Sequence, residues 1–226
     1  MKIVLLPGLD GTGFLFKPLI EVLSNDFDVL VVSYPVDLKL SYNELVEFVI
    51  NQLADEKFIL LAESFSGPIA YQLALRMADK IESIIFVATF IGNPRKFILL
   101  SSHFLPGRLL FSLPIPDVII KSFLLGFNIN KQMIDLFKQS IKQVQPDVLA
   151  FRLKEISKLS LNYGTSDISV TYIQASNDKL VPNSCLEEFK KVFSNINVFK
   201  VDGPHFILQA APVLCADIII KSAFQP

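Results

Sequence analysis

Short, largely apolar runs separated by helical patterns recur along this chain, and that alternation leaves few folds open to it. Ile3–Leu6, Val29–Ser33, Phe58–Ala62, Ile84–Ala88, Val170–Ala175 and Val198–Val201 read as strands. Helices are expected over about Phe14–Leu23, from Ser41 to about Leu53, from the end of the third strand to about Ala78, over Asn183–Val192 and over Phe206–Ile220. Ser41 followed by Glu44 is a capping-box signature for the second of these. Strands that are apolar on both faces, with a helix between each pair, point to a parallel sheet covered on both sides. The fold class expected is α/β, with a mostly parallel, six-stranded, doubly wound sheet. No repeat or low-complexity linker interrupts it.

The 226 residues suffice for one large α/β domain or two small ones, and half of them (51%) are apolar. Lysine and arginine number 21 against 22 acidic residues, a balance that points to no nucleic-acid partner. No uninterrupted apolar run is long enough to span a bilayer. The opening Met1–Leu6 has some character of a signal sequence, but Pro7, Gly8 and Asp10 end it, and a buried strand is expected there. Cys185 and Cys215 have no metal-ligand spacing and are read as free thiols, so the expected compartment is the cytoplasm.

Residues 93–165 differ from the flanking chain. They contain no strand pattern, and Pro94, Pro106, Pro114 and Pro116 precede Lys121. Two amphipathic helices follow. The first spans about Asn130–Val144, with Met133, Ile134, Phe137 and Ile141 on one stripe; the second opens at Pro146-Asp147. The expected division is a core of residues 1–92 and 166–226 with a helical lid, 93–165, inserted in it. The insertion has ten basic residues against four acidic ones, a net +6 in a chain of net −1. That asymmetry is first of all what a set of solvated lysines on helix backs would give, and it also suits transient contact with an anionic membrane surface.

Within this frame one junction has chemical meaning. The run Phe58–Ala62 ends in Glu63-Ser64-Phe65-Ser66-Gly67-Pro68, and a helical pattern opens at once with Ala70, Leu73, Ala74 and Met77 on one face. A serine on a sharp strand-to-helix turn can be held exposed above the sheet edge, which is the logic of the G-x-S-x-G nucleophile elbow. Here the flanking small residues are Ala62 and Ser66, and the glycine comes one position late. The stretch also suits an ordinary junction with a capping serine.

A serine hydroxyl is a weak nucleophile without a base and a group that orients the base. The chain has two histidines. His103 lies between apolar residues of the insertion. His205 lies in Val201-Asp202-Gly203-Pro204-His205-Phe206, a loop that a parallel sheet brings to the same carboxyl edge as Ser64. Asp178, in the loop after the fifth strand, has the same address, and the order Ser64…Asp178…His205 places each at a strand's carboxyl end. Asp178 alone would read as a turn residue or a helix cap. Oxyanion donors are expected from the backbone amides of Phe65 and of Leu9, the latter in the loop Pro7-Gly8-Leu9-Asp10-Gly11-Thr12-Gly13. A dinucleotide-binding reading of that loop lacks the G-x-G-x-x-G spacing and an acidic residue ending the second strand.

On these segments, with Asn177-Asp178-x-Leu180-Val181-Pro182 and Gly203-Pro204-His205, the chain resembles the α/β-hydrolase superfamily over nearly its whole length. The resemblance implies that fold without the first two strands of its eight-stranded sheet. It also implies a Ser64 nucleophile, a His205 base, an Asp178 acid and an oxyanion hole of the Leu9 and Phe65 amides. Two features depart from the pattern: Pro7-Gly8 stands where many members have His-Gly, and Ala62 and Ser66 replace the elbow glycines. The glycine loop and Glu63-Ser64-Phe65-Ser66-Gly67 look closest to a serine esterase, lipase and acyltransferase-like branch that includes plastid lipid acyltransferases.

The activity so implied is hydrolysis of a small-molecule carboxylic ester or thioester through an acyl-enzyme, with no cofactor and no metal. Acyl transfer to an alcohol, and a non-catalytic ligand-binding role on the same fold, are the alternatives. Phe97, Phe104, Phe111, Phe123 and Phe127 in the insertion are candidates to line a pocket for a lipophilic acyl group, although phenylalanine is nearly as frequent in the rest of the chain.

Overall fold

The computed structural model describes residues 1–23, 26–94, 112–160 and 164–224. The strands are β1 (Lys2–Leu6), β2 (Asp28–Val31), β3 (Phe58–Glu63), β4 (Ile81–Val87), β5 (Ser169–Ala175) and β6 (Ile196–Val201). They form one sheet in the order β2-β1-β3-β4-β5-β6, and every neighbouring pair is parallel. The chain therefore winds outward from β1 to one edge, returns to β3, and builds toward the other. The reversal lies between β1 and β3, the place in an open parallel sheet where ligands ordinarily bind, at the carboxyl ends of the strands.

Side chains alternate across each strand, so consecutive residues enter different cores. Ile3, Leu5, Ile59 and Leu61 pack with Leu19 and Leu23 of α1 (Lys17–Leu23) on one face. Val4, Leu6, Leu60 and Phe86 pack on the other with α2 (Tyr42–Ile50) and α3 (Gly67–Arg76), whose Leu45, Val49, Ile69 and Leu73 are fully buried. Ser41 closes the expected capping box with Glu44 at the start of α2. The expected first helix is divided, with a 3-10 turn over Phe14–Phe16 before α1.

Two expectations need correction. The sheet is covered on both faces at its interior strands, but Asn197–Lys200 of β6 are exposed, because β6 is an edge strand and no further strand among the described residues lies beyond it. The last helix is not continuous. It breaks after a single turn because Pro212 has no N–H to donate, and Ala211 leaves the helical region at φ −138°.

Between β4 and β5 the described part of the insertion is helical. A turn at Asp117–Ile119 runs into π-helical Ile120–Leu125, followed by α4 (Lys131–Gln143) and α5 (Pro146–Ser157). The Asn130 side chain caps α4 by accepting from the Met133 amide at 2.9 Å. Met133, Ile134 and Phe137 of α4 pack with Leu15, Ile120, Leu125 and Phe206, which sets this helix over the carboxyl edge of the sheet. After β5 come α6 (Leu186–Val192), and after β6 α7 (Ile207–Ala210) and α8 (Pro212–Phe224). No helix among the described residues is long and apolar enough to cross a membrane.

Candidate active site

The register of the sheet brings distant loops together. Leu6 pairs with Ala62, so the glycine loop after β1 and the turn after β3 leave the sheet side by side. Ala175 pairs with Val201, and the loops bearing Asp178 and His205 do the same. Ser64 sits at the tip of its turn with φ +48°, one of two non-glycine residues with positive φ among those described. Such a conformation costs on the order of 1–3 kcal/mol and persists only where its surroundings enforce it.

Those surroundings are specific. The Ser64 carbonyl accepts hydrogen bonds from the Gly67 amide and the Thr89 hydroxyl, and the Thr89 carbonyl accepts from the Tyr172 hydroxyl at 2.7 Å. Phe65 is stacked against Tyr42, ring centroids 4.8 Å apart, and its carbonyl accepts from the Tyr42 hydroxyl. The Ser66 hydroxyl lies 2.6 Å from that of Tyr34 and donates to the Pro7 carbonyl, so it ties the turn to the glycine loop. The displaced elbow glycine has a physical reason: Gly67 is pressed against Thr89 and Phe90, with no room for a side chain.

The structure brings Ser64, His205 and Asp178 into one line. Ser64 Oγ is 2.9 Å from His205 Nε2, and His205 Nδ1 is 2.7 Å from Asp178 Oδ2. The other carboxylate oxygen of Asp178 accepts from the amides of Leu180 and Val181 at 2.8 and 2.9 Å, which fixes the carboxylate plane. With Nδ1 donating to Asp178, Nε2 is left to accept the Ser64 proton. Burial pushes the imidazole pKa down, but the Asp178 carboxylate outweighs it through charge and hydrogen bond, with the Glu63 charge adding, and holds it above the ordinary histidine value.

A β-carbon at Gly8 would lie 3.9 Å from Ser64 Cβ, so the glycine loop runs beside the serine. The Gly8 carbonyl accepts from the Gly11 amide at 3.0 Å. In a trans peptide the following N–H, that of Leu9, points the opposite way, out of the loop's own turn. The Phe65 amide lies at the N-terminus of the 3-10 turn, where no intrahelical acceptor exists.

Several residues around the site escaped the sequence reading. Glu63, fully buried beside the serine, accepts from Gln209 Nε2 at 3.1 Å, and burial raises its carboxyl to about 7 despite that bond and the nearby His205 charge. Arg152, counted only among the insertion's charges, is buried against the glycine loop. Of the pocket candidates, Phe123 and Phe127 stand on the surface, 49% and 67% exposed, with the Lys179 ammonium 5.3 Å from the Phe123 ring centre. Phe97, Phe104, Phe111 and His103 lie outside the described residues. A cleft of about 480 Å³ opens behind the turn, lined by Tyr42, Tyr71, Leu75, Ile91 and Glu155, and none of Ser64, Asp178 or His205 reaches it. Among the described residues no group of three or more His, Cys, Asp or Glu side chains is placed to hold a metal ion.

An all-parallel sheet in this strand order, flanked by helices, with a serine turn after its third strand, is the α/β-hydrolase fold. No protein-family model matches the chain, and no curated protein matches it in sequence. Among solved structures it is similar to an enol-lactonase from Burkholderia xenovorans LB400 (TM-score 0.78, 14% identity, over 99% of this chain and 91% of that one). A lipase-esterase related protein from Clostridium acetobutylicum ATCC 824 (TM-score 0.76, 16% identity, 97% and 93%) and an epoxide hydrolase from Bacillus megaterium (TM-score 0.73, 14% identity, 98% and 92%) are also similar. At such identities the likeness is one of fold.

Proposed function

We propose that this protein is a serine hydrolase of carboxylic esters or thioesters. The observation that carries the reading is the line from Ser64 Oγ through His205 to Asp178, at 2.9 and 2.7 Å, with the serine held in a strained turn. That the similar folds named above include a lactonase and an esterase-related protein agrees with it.

In the proposed cycle Ser64 Oγ attacks the acyl carbon as its proton passes to His205 Nε2. The amides of Leu9 and Phe65 hold the oxyanion that forms. His205 then gives the proton to the departing alkoxide or thiolate, and the acyl group stays on Ser64. Water, losing a proton to His205, attacks this ester and releases the acid, and the serine regains its proton. Asp178 keeps the imidazole in the required tautomer and offsets its charge.

The substrate we infer is a lipophilic acyl compound. Leu113, Val118, Ile119, Phe123 and Phe127 are all exposed within one short stretch of the insertion. Part of that stretch abuts the His205 loop, since the Leu124 carbonyl accepts from the Phe206 amide at 3.1 Å and Gly126 packs on Pro204. The same apolar side chains, with Lys121 and Lys131 nearby in sequence, favour brief contact with an anionic lipid surface. The two unpaired, buried thiols suit a reducing, cytoplasmic setting.

The test is a fluorophosphonate probe on wild type and Ser64→Ala, with turnover of p-nitrophenyl esters and acyl thioesters of graded chain length. Labelling and turnover that both vanish in Ser64→Ala are expected, with preference for medium or long chains. Labelling that survives the substitution would remove the nucleophile assignment. Activity confined to acetyl esters would remove the lipophilic substrate. Vesicle binding that added salt leaves unchanged would remove the electrostatic contact.

A further inference from the structure

Arg152 stands in the middle of α5, in the insertion, yet only 2% of its surface is exposed. A buried guanidinium is costly, and most are matched by a carboxylate. The hydrogen-bond partners here are three backbone carbonyls. Nη1 donates to Leu9 at 2.9 Å and to Asp10 at 2.7 Å, and Nη2 donates to Pro35 at 2.9 Å. The group also lies 5.7 Å from the ring centre of Tyr34, whose hydroxyl meets Ser66. Gly11 provides its seat: with φ +70° and no side chain, it leaves space where a β-carbon would fall 2.5 Å from Nη1.

These contacts bracket one peptide group. Ser66 holds the Pro7 carbonyl, and so the peptide before Gly8. Arg152 holds the Leu9 carbonyl, and so the peptide before Asp10. Between them lies the Gly8–Leu9 peptide, whose oxygen is engaged by the Gly11 amide and whose N–H is the Leu9 donor. With both neighbours fixed, that N–H has little freedom to turn.

We propose that Arg152 is a positioning residue for acyl transfer: from the insertion it fixes the Leu9 amide that receives the oxyanion. The inference rests on the Ser64 reading above and adds that the helical insertion is needed for the chemical step as well as for choosing substrate. A donor displaced by a fraction of an ångström stabilises the transition state less while ground-state binding is kept.

The experiment compares wild type, Arg152→Lys and Arg152→Ala, with the fluorophosphonate probe counting active sites. Per labelled site, kcat falls about 10- to 100-fold in both variants while KM stays within about twofold. Affinity for a chain-matched trifluoromethyl ketone, whose adduct places an oxyanion in the same position, falls by a similar factor. Tens of millimolar guanidinium, but not urea or sodium chloride, restores part of the kcat of Arg152→Ala. The lysine variant keeps the test open where the alanine variant fails to fold. Unchanged kcat per labelled site and unchanged ketone affinity, with only a lower melting temperature, would make Arg152 a structural clasp and overturn the proposal. A wild type that the probe does not label at Ser64 would instead overturn the nucleophile reading, and this inference with it.

Discussion

Gly67 approaches Phe90 so closely that a β-carbon on it would sit 2.1 Å from the Phe90 carbonyl oxygen and 2.2 Å from the Thr89 hydroxyl. Its backbone is ordinary, at φ −54°, so packing and not conformation demands the glycine. Gly67→Ala is expected to destabilise the fold by about 3 kcal/mol, read as a lower urea midpoint with unchanged slope. A midpoint equal to wild type would show that the loop after β4 yields easily.

Ser66 occupies the position where the strict elbow pattern has glycine. Its hydroxyl meets Tyr34 and the Pro7 carbonyl, so Ser66→Gly, which restores the second glycine of the pattern, removes both interactions. The expected result is a loss of about 1–2 kcal/mol in stability together with a lower kcat. Equal or better activity in the glycine variant would contradict the bridging role.

Strain at Ser64 makes a separate prediction. At φ +48° a residue with a β-carbon is strained and glycine is not. Ser64→Gly and Ser64→Ala both lack the hydroxyl, yet the glycine variant should be more stable, by about 1 kcal/mol in thermal denaturation. Identical melting temperatures would mean that the turn stores no strain.

Asp178→Asn keeps an acceptor for the Leu180 and Val181 amides but turns an NH₂ toward His205 Nδ1. The imidazole then takes the wrong tautomer, and kcat is expected to fall about 1,000- to 10,000-fold. Because Asp178 does most to raise the imidazole pKa, with Glu63 adding less, the acid limb of kcat/KM should move to lower pH in the variant. A limb that stays in place would detach Asp178 from the titration.

Glu63 predicts how stability varies with pH. Its carboxyl rises from an ordinary 4.5 to about 7 on folding, mainly through burial. A carboxyl raised in this way favours the folded state fully below 4.5, and the advantage fades as the pH climbs through about 7. Glu63→Gln keeps an acceptor for Gln209 and does not titrate. Wild-type melting temperature should therefore fall over that window more steeply than the variant's, by the equivalent of on the order of 3 kcal/mol at the alkaline end. His205 loses stability in the same direction in both proteins, less in the variant because the Glu63 charge that helps raise its pKa is gone. Parallel curves would rule out Glu63 as the source.

The sheet and the serine turn were legible because their signals are local. Phe58–Ala62 is apolar without interruption and ends in small residues, and Asp178 and His205 each follow such a run closely enough for the sheet to place them at one edge. The break in the last helix was hidden by its own periodicity: Ile207, Leu208, Cys215, Ile218 and Ile219 suggest a single buried stripe that runs through Pro212. Arg152 gave no signal of its role. Its partners are backbone carbonyls 117 to 143 residues away, and a carbonyl leaves no trace in a residue's identity. The Glu63–Gln209 contact spans 146 residues and was equally invisible.

The three carbonyls gathered by one guanidinium bear on how such a chain can change over time. Helices inserted after a fourth strand look like exchangeable parts, free to be swapped for new specificities while the frame stays intact. Here one of them reaches back into the frame at the first loop, so a transplanted replacement must bring a cation to the same address or leave that loop without its anchor.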